Sequence, residues 1–139
     1  MEKVMSQLDI LSEPIKIGSL QLRHRLILGP MWSRLCTVEG EVTEQMLDYY
    51  TARVKGGAAM IIIESTAADR RYGWEMGTLK LDHEKMVPGY RRLVERIHWL
   101  GVPVIAQLVN VGAFSENPIS PSGVPSVMHG GVGGFNRAL

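Results

Sequence analysis

Hydrophobic positions change their period several times along the chain, and each change marks an element. Ile15, Ile17, Leu20 and Leu22 alternate with polar residues about Gly18-Ser19, the pattern of a tight-turn hairpin with one apolar face. So small a unit is expected to form a lid or flange, not a core. Leu26-Ile27-Leu28-Gly29-Pro30-Met31 is then a nearly continuous apolar run closed by Gly-Pro, which predicts a strand buried on both faces, as in parallel sheets. After a loop, Thr43 is placed as an N-cap, and Met46, Leu47, Tyr50 and Val54 recur at helical spacing until Gly56-Gly57. The β-branched run Ala59-Met60-Ile61-Ile62-Ile63 ends in Glu64-Ser65, which predicts a second buried strand with functional groups at its carboxyl end. Ala67 to Lys85 reads as a surface loop with short structure around Leu79 to Leu81. Pro88 suits a first helical position. Tyr90, Leu93, Val94, Ile97 and Leu100 then form one helical stripe that Gly101 ends. Val102 to Leu108 is a third strand, with Pro103 near its start, where a lost ladder hydrogen bond matters least.

The order strand, helix, strand, helix, strand with short connections implies right-handed βαβ units on a parallel sheet, an α/β class. No domain boundary interrupts residues 1–139, and residues 113–139 form a Gly/Pro/Ser-rich loop in which no further element develops. Composition agrees with one modest globular core, since 45% of the residues are hydrophobic, which excludes a disordered chain. The 15 basic and 14 acidic residues nearly cancel and form no runs, so neither a nucleic-acid binder nor a membrane-surface binder is expected, and the partner is a small molecule. One cysteine, Cys36, leaves no internal disulfide, and the first residues lack the apolar stretch of a signal peptide, so a cytoplasmic location is expected. The longest apolar run, Ala58 to Ile63, is less than half of what a membrane helix needs.

In parallel α/β folds ligands bind at the carboxyl ends of strands, which directs attention to Pro30-Met31-Trp32, Glu64-Ser65-Thr66 and Gln107 with Asn110. The Gln107 carboxamide offers donors and an acceptor together, as the edge of a flat heterocycle with carbonyl and N–H groups requires. From the residues alone a bland hydrogen bond to a neighbouring loop carries more weight. Glu64 is either a catalytic base or, the favoured reading, a structural group holding loops or an arginine. Arg34 and Trp32 line a substrate mouth, with simple solvation the alternative for Arg34. Cys36 reads as inert, and His98 as a packing or surface residue. His24, His83 and His129 lack partners at ligand spacing, so no metal site is expected.

Several strings resemble the old yellow enzyme, or NADH:flavin oxidoreductase, family in that family's own order. Glu13-Pro14-Ile15-Lys16-Ile17-Gly18, Leu22 to Arg25 and Pro30-Met31 are similar to its opening hairpin and first strand. Gly40, Val42-Thr43, Tyr49-Tyr50, Arg53, Gly56-Gly57, Ile62-Ile63-Glu64, Ile97-His98, Gly101, Gln107-Leu108, Gly112, Pro121-Ser122 and Val124-Pro125-Ser126 continue the series. Any one string is weak, but the co-linear series is specific.

The resemblance implies the N-terminal portion of a TIM (β/α)8 barrel, about three βα units after a hairpin, incomplete because such a barrel typically takes about 250 residues. It also implies noncovalent FMN, reduced by NADH or NADPH and reoxidised by hydride transfer to an activated alkene such as an enone or enoate. Carried over by position, Pro30 and Met31 contact the isoalloxazine through the backbone, Ser65 takes the small-residue position beside it, and Gln107 binds its pyrimidine edge. Trp32 falls at the cofactor-binding position where the family carries a flavin-tuning Thr, Cys or similar small side chain. Asn110 and Ala113 stand where the family often has His and Arg. The family's substrate-anchoring His pair (or His and Asn), proton-donating Tyr and phosphate-binding loops are expected beyond Leu139, so no catalytic residue is assigned. Unpaired edges on the outer strands call for a second copy or a complementary C-terminal segment. The alternative is a noncatalytic partial barrel serving as a binding or assembly module, or an inactive fragment.

Overall fold

The computed structural model describes residues 9–72, 77–112, 119–120 and 137–138. After a short 3-10 turn at Asp9–Ser12, β1 (Ile15–Ile17) and β2 (Leu20–Leu22) pair antiparallel about Gly18, whose φ of 59° the turn requires. Only the last residue of the hairpin is deeply buried: Leu22, 1% exposed, packs on Ala59 and Met60. The Arg23 guanidinium also donates to the Ala58 carbonyl at 3.0 Å. The expected flange therefore lies at the amino end of the strands, away from the end where ligands bind.

Three parallel strands follow the predicted order: β3 (Ile27–Leu28), β4 (Met60–Ala67) and β6 (Val104–Val109). A further short strand, β5 (Leu79–Lys80), also runs parallel to β4. Ile61 pairs with both Leu28 and Val104, and Thr66 with both Leu79 and Leu108. So β3 and β5 share one edge of β4, and β6 takes the other.

β4 is buried on both faces, as expected, with no exposed residue along its length. That expectation fails for β3. The strand has two residues, and Leu26 and Ile27 are 51% and 37% exposed. β6 is likewise open, with Ile105 and Leu108 at 51% and 64%. These strands are outermost, and among the described residues nothing covers their second face.

Two helices cover the other face. α1 (Glu44–Lys55) starts at Thr43, whose hydroxyl oxygen accepts from the Met46 N–H at 3.3 Å, and is followed by Gly57 at φ 102°. α2 (Val87–Trp99) has proline in its first turn and is followed by Gly101 at φ 73°. The predicted stripes face inward: Met46, Leu47, Tyr50 and Val54 of α1 meet Tyr90, Leu93 and Ile97 of α2 over Ile61 and Ile63.

The segment from Ala67 to Lys85 carries the expected short structure at β5 but corrects the expectation of a surface loop. Thr78 and Leu79 are 1% and 0% exposed, and Leu79 belongs to the main core. The backbone explains it: Lys80 N–H bonds the Gly40 carbonyl at 3.0 Å and Leu81 N–H the Ala67 carbonyl at 2.9 Å, so the middle of the segment is pinned to the sheet. Short 3-10 turns at Arg70–Tyr72 and Glu84–Met86 occupy its flanks. In the C-terminal stretch β7 (Ile119–Ser120) and β8 (Arg137–Ala138) form a parallel pair that no sequence pattern announced. Among the described residues no helix is long and apolar enough to cross a membrane.

Candidate functional site

The strand order puts the carboxyl ends of β3, β4 and β6 side by side. Register shifts between Ile63 and Thr66 of β4, so that Glu64 and Ser65 together stand opposite Gln107. The irregularity separates two neighbouring side chains. Glu64 follows Ile63 toward the helices and reaches Tyr50 of α1, whereas the Ser65 hydroxyl donates to Gln107 Oε1 at 2.9 Å across the open side of the sheet. Gln107 is exposed and its carboxamide nitrogen faces no acceptor among the described residues. A fixed oxygen and an available N–H2 are what remain for a ligand edge.

Behind this end lies a buried polar cluster. Glu64 is 0% exposed, and its Oε2 accepts from the Ser33 hydroxyl at 2.5 Å, the Ser33 N–H at 3.2 Å and the Tyr50 hydroxyl at 3.3 Å. The Tyr50 oxygen in turn accepts from the Glu64 N–H at 2.9 Å, while Glu64 Oε1 has no partner among the described residues. Thr66 extends the cluster, donating to the Glu64 carbonyl at 3.0 Å and sharing a 2.5 Å bond with the Tyr90 hydroxyl. Burial pushes the phenols of Tyr50 and Tyr90 well above their ordinary range, and the nearby Glu64 charge adds to both. Glu64 thus holds a loop, the one that follows β3, and does so without an arginine among the described residues. Sequence reasoning missed Ser33 and Tyr50 as its partners. A signal existed for one: Tyr50 lies on the apolar stripe of α1, and a buried tyrosine hydroxyl needs a partner.

Pro30 and Met31 leave β3 on the opposite edge of β4 from Gln107, with Pro30 half-buried and Met31 59% exposed. Trp32, 41% exposed, donates its indole N–H to the Gly77 carbonyl at 2.5 Å, and the Arg34 guanidinium stacks 4.2 Å from the centre of its ring. The candidate residues therefore form two groups, Ser65 with Gln107 and Trp32 with Arg34, and Glu64 anchors the loop that joins the second group to the sheet.

The other candidates are local. Asn110 Oδ1 accepts from the Gly112 N–H at 2.8 Å and shapes the exit from β6, and Ala113 and His129 lie outside the described residues. His24 accepts from the Leu26 N–H at 3.2 Å, His83 from the Lys85 N–H at 3.2 Å, and His98 is exposed. Burial, then the Glu64 charge, pushes the Cys36 thiol up, away from the thiolate. Among the described residues no three His, Cys, Asp or Glu side chains are grouped to hold a metal ion.

A parallel sheet with helices on one face, an amino-end hairpin and polar groups at the carboxyl ends defines the N-terminal portion of a (β/α)8 barrel. The old yellow enzyme of Pichia sp. AKU4542 superposes on 78% of the chain with a TM-score of 0.72 at 27% identity, over 28% of its own length. The chain belongs to the NADH:flavin oxidoreductase / NADH oxidase family, whose model matches residues 10–129. Similar relatives include a metal reductase of Desulforamulus reducens, 36% identical over 129 residues, and an NADH oxidase of Thermoanaerobacter brockii, 32% identical over 118 residues. These alignments cover 88% and 79% of the chain. They cover 19% and 18% of the relatives, so the chain spans about a fifth of their length.

Proposed function

We propose that the chain supplies the flavin-contacting N-terminal part of an FMN-dependent oxidoreductase of the ene-reductase type. The observation that carries this reading is the Ser65–Gln107 bond of 2.9 Å between the carboxyl ends of adjacent parallel strands. It fixes the oxygen of a carboxamide whose N–H2 has no acceptor among the described residues, while Met31 and Trp32, on the other edge of β4, expose apolar surface. That set of one polar edge and flanking apolar surface fits a flat heterocycle such as the isoalloxazine of FMN. Gln107, oriented by Ser65 beside it, would hold its polar edge, and the backbone at Pro30 and Met31 with the Trp32 side chain would border it. Bound there, FMN would supply the hydride-transfer chemistry between NADH or NADPH and an activated alkene. Arg34 belongs to the substrate side of the same mouth.

Small-molecule chemistry in the cytoplasm suits a chain with one half-buried cysteine and balanced charge. The exposed faces of β3 and β6 favour a cover supplied by a complementary C-terminal segment or by a second copy. The test is to express the full-length gene product and look for a bound flavin absorption band. A folded full-length protein that never retains flavin overturns the reading. The open sheet also suits a partial barrel acting as an assembly module. A stable flavin-free homo-oligomer of the 139-residue chain favours that module, and order gained only with the downstream sequence favours the enzyme.

A further inference from the structure

Among the described residues Arg34 alone combines a side chain with a positive φ, 59°. An L residue enters that region only where its surroundings impose it, and such positions cluster at ligand clamps. Two constraints act here. On one side Glu64 binds both the N–H and the hydroxyl of the adjacent Ser33. On the other, the guanidinium stacks on Trp32, whose own N–H is fastened to Gly77. Gly77 has φ 71°, and a Cβ there would come within 3.0 Å of Arg34 Cγ, so the arginine stem lies directly against that glycine.

Stacking uses the face of a guanidinium and leaves its in-plane N–H fork available. Arg34 is exposed, and no carboxylate among the described residues pairs with it. A cation whose backbone and ring face are already fixed loses little further freedom when an anion arrives. Its planar fork matches the two oxygens of one carboxylate.

We propose that Arg34, held against Trp32, receives the carboxylate of the alkene acceptor, so that the enzyme prefers α,β-unsaturated acids to neutral enones and esters. The proposal rests on the flavoenzyme reading of the same strand end. Trp32 is then the platform that sets the direction of the fork, which gives the bulky indole a task in place of a small flavin-tuning side chain.

The experiment compares full-length wild type with Arg34→Asn and Arg34→Lys on α,β-unsaturated acids, each paired with its methyl ester. Asparagine tolerates the left-handed backbone, so the first variant removes the charge without refolding the loop. Wild type is expected to favour each acid. Arg34→Asn should raise KM for the acids about 10- to 100-fold, the equivalent of one charge-assisted bidentate pair, and raise it far less for the matched esters. Arg34→Lys, which keeps charge but not the planar fork, should fall between. Equal use of acid and ester by wild type overturns the proposal, as does an Arg34→Asn variant that keeps the acid preference or raises KM for NADPH alone. Calorimetric titration of the same acids at low salt separates the two readings. If the protein holds flavin but binds acids no better than esters, the arginine site fails alone. If it holds no flavin, the flavoenzyme reading fails, and acid binding lost in Arg34→Asn still supports the anion site.

Discussion

Glu64 and Ser33, 31 positions apart, are joined twice, because one fully buried carboxylate oxygen accepts both the backbone N–H and the hydroxyl of the serine. This double bond of attachment ties the loop after β3 to the end of β4. Replacing Glu64 by alanine leaves two Ser33 donors and the Tyr50 hydroxyl without their acceptor, and is expected to cost about 2–4 kcal/mol. Glu64→Gln keeps an oxygen in the occupied position and puts its amide where Oε1 has no partner, so it should cost about 1 kcal/mol. Urea unfolding of the full-length protein measures both, and equal losses for the two would contradict the assigned geometry.

Gly40 provides a second stability test. Its φ is 86°, and a Cβ there would meet Lys80 Cγ at 2.7 Å and the Thr78 carbonyl oxygen at 2.8 Å. Gly18 has a similar backbone, φ 59°, but open space around it. Alanine at Gly18 should therefore cost only the left-handed backbone penalty, about 1 kcal/mol. Alanine at Gly40 should cost about 2 kcal/mol more, because β5 must shift from the loop it is bonded to. Similar midpoints for the two variants in thermal denaturation would show that the approach of Lys80 to Gly40 is not tight.

How far the chain could be read without coordinates follows from which forces leave a local trace. The α1 and α2 stripes and the β-branched run of β4 announce themselves, because a buried face must repeat with the period of its element. Thr43 and Gly101 were legible as cap and stop for the same local reason. The exposure of β3 and β6 was not, since burial of an outer strand depends on what packs against it. Short structure around Leu79 to Leu81 is legible, and β5 stands there, but its burial is not, because two residues carry no period and Leu79 is buried by the pairing of Lys80 with Gly40, a contact across 40 positions. At the site, Ser65 and Gln107 were found as strand-end polar residues. The register shift that turns Glu64 inward and Ser65 outward has no sequence signature.

The buried phenols make stability sensitive to alkali. Tyr50 and Tyr90 have folded-state values raised above 10, chiefly by burial, so the folded protein keeps protons that the unfolded chain releases. Their contribution is complete below the ordinary tyrosine value and is lost as pH rises above about 10. Each phenol should add up to about 1.4 kcal/mol per pH unit to that loss while it stays protonated in the fold. Urea unfolding between pH 8 and 11 should show stability falling above 10, and Tyr90→Phe should reduce the slope by about one proton. A slope unchanged in that variant would mean that Tyr90 ionises freely in the folded state.

On the proposed reading Ser65 orients Gln107 and Gln107 binds the flavin, so the two should weigh differently in cofactor retention. Gln107→Leu removes the N–H2 assigned to the flavin edge, so flavin binding by the full-length protein should weaken about 10- to 100-fold, the range of one or two good hydrogen bonds. Ser65→Ala removes only the donor that fixes Gln107 Oε1. The carboxamide is then free to rotate, and binding should weaken several-fold, about the effect of one neutral hydrogen bond. Because Ser65 acts through Gln107, the two losses should not add: Ser65→Ala in a Gln107→Leu background should change the dissociation constant by less than about twofold. Fluorescence titration of the apoproteins with FMN gives all four values. Full additivity would place Ser65 in direct contact with the flavin, independent of Gln107.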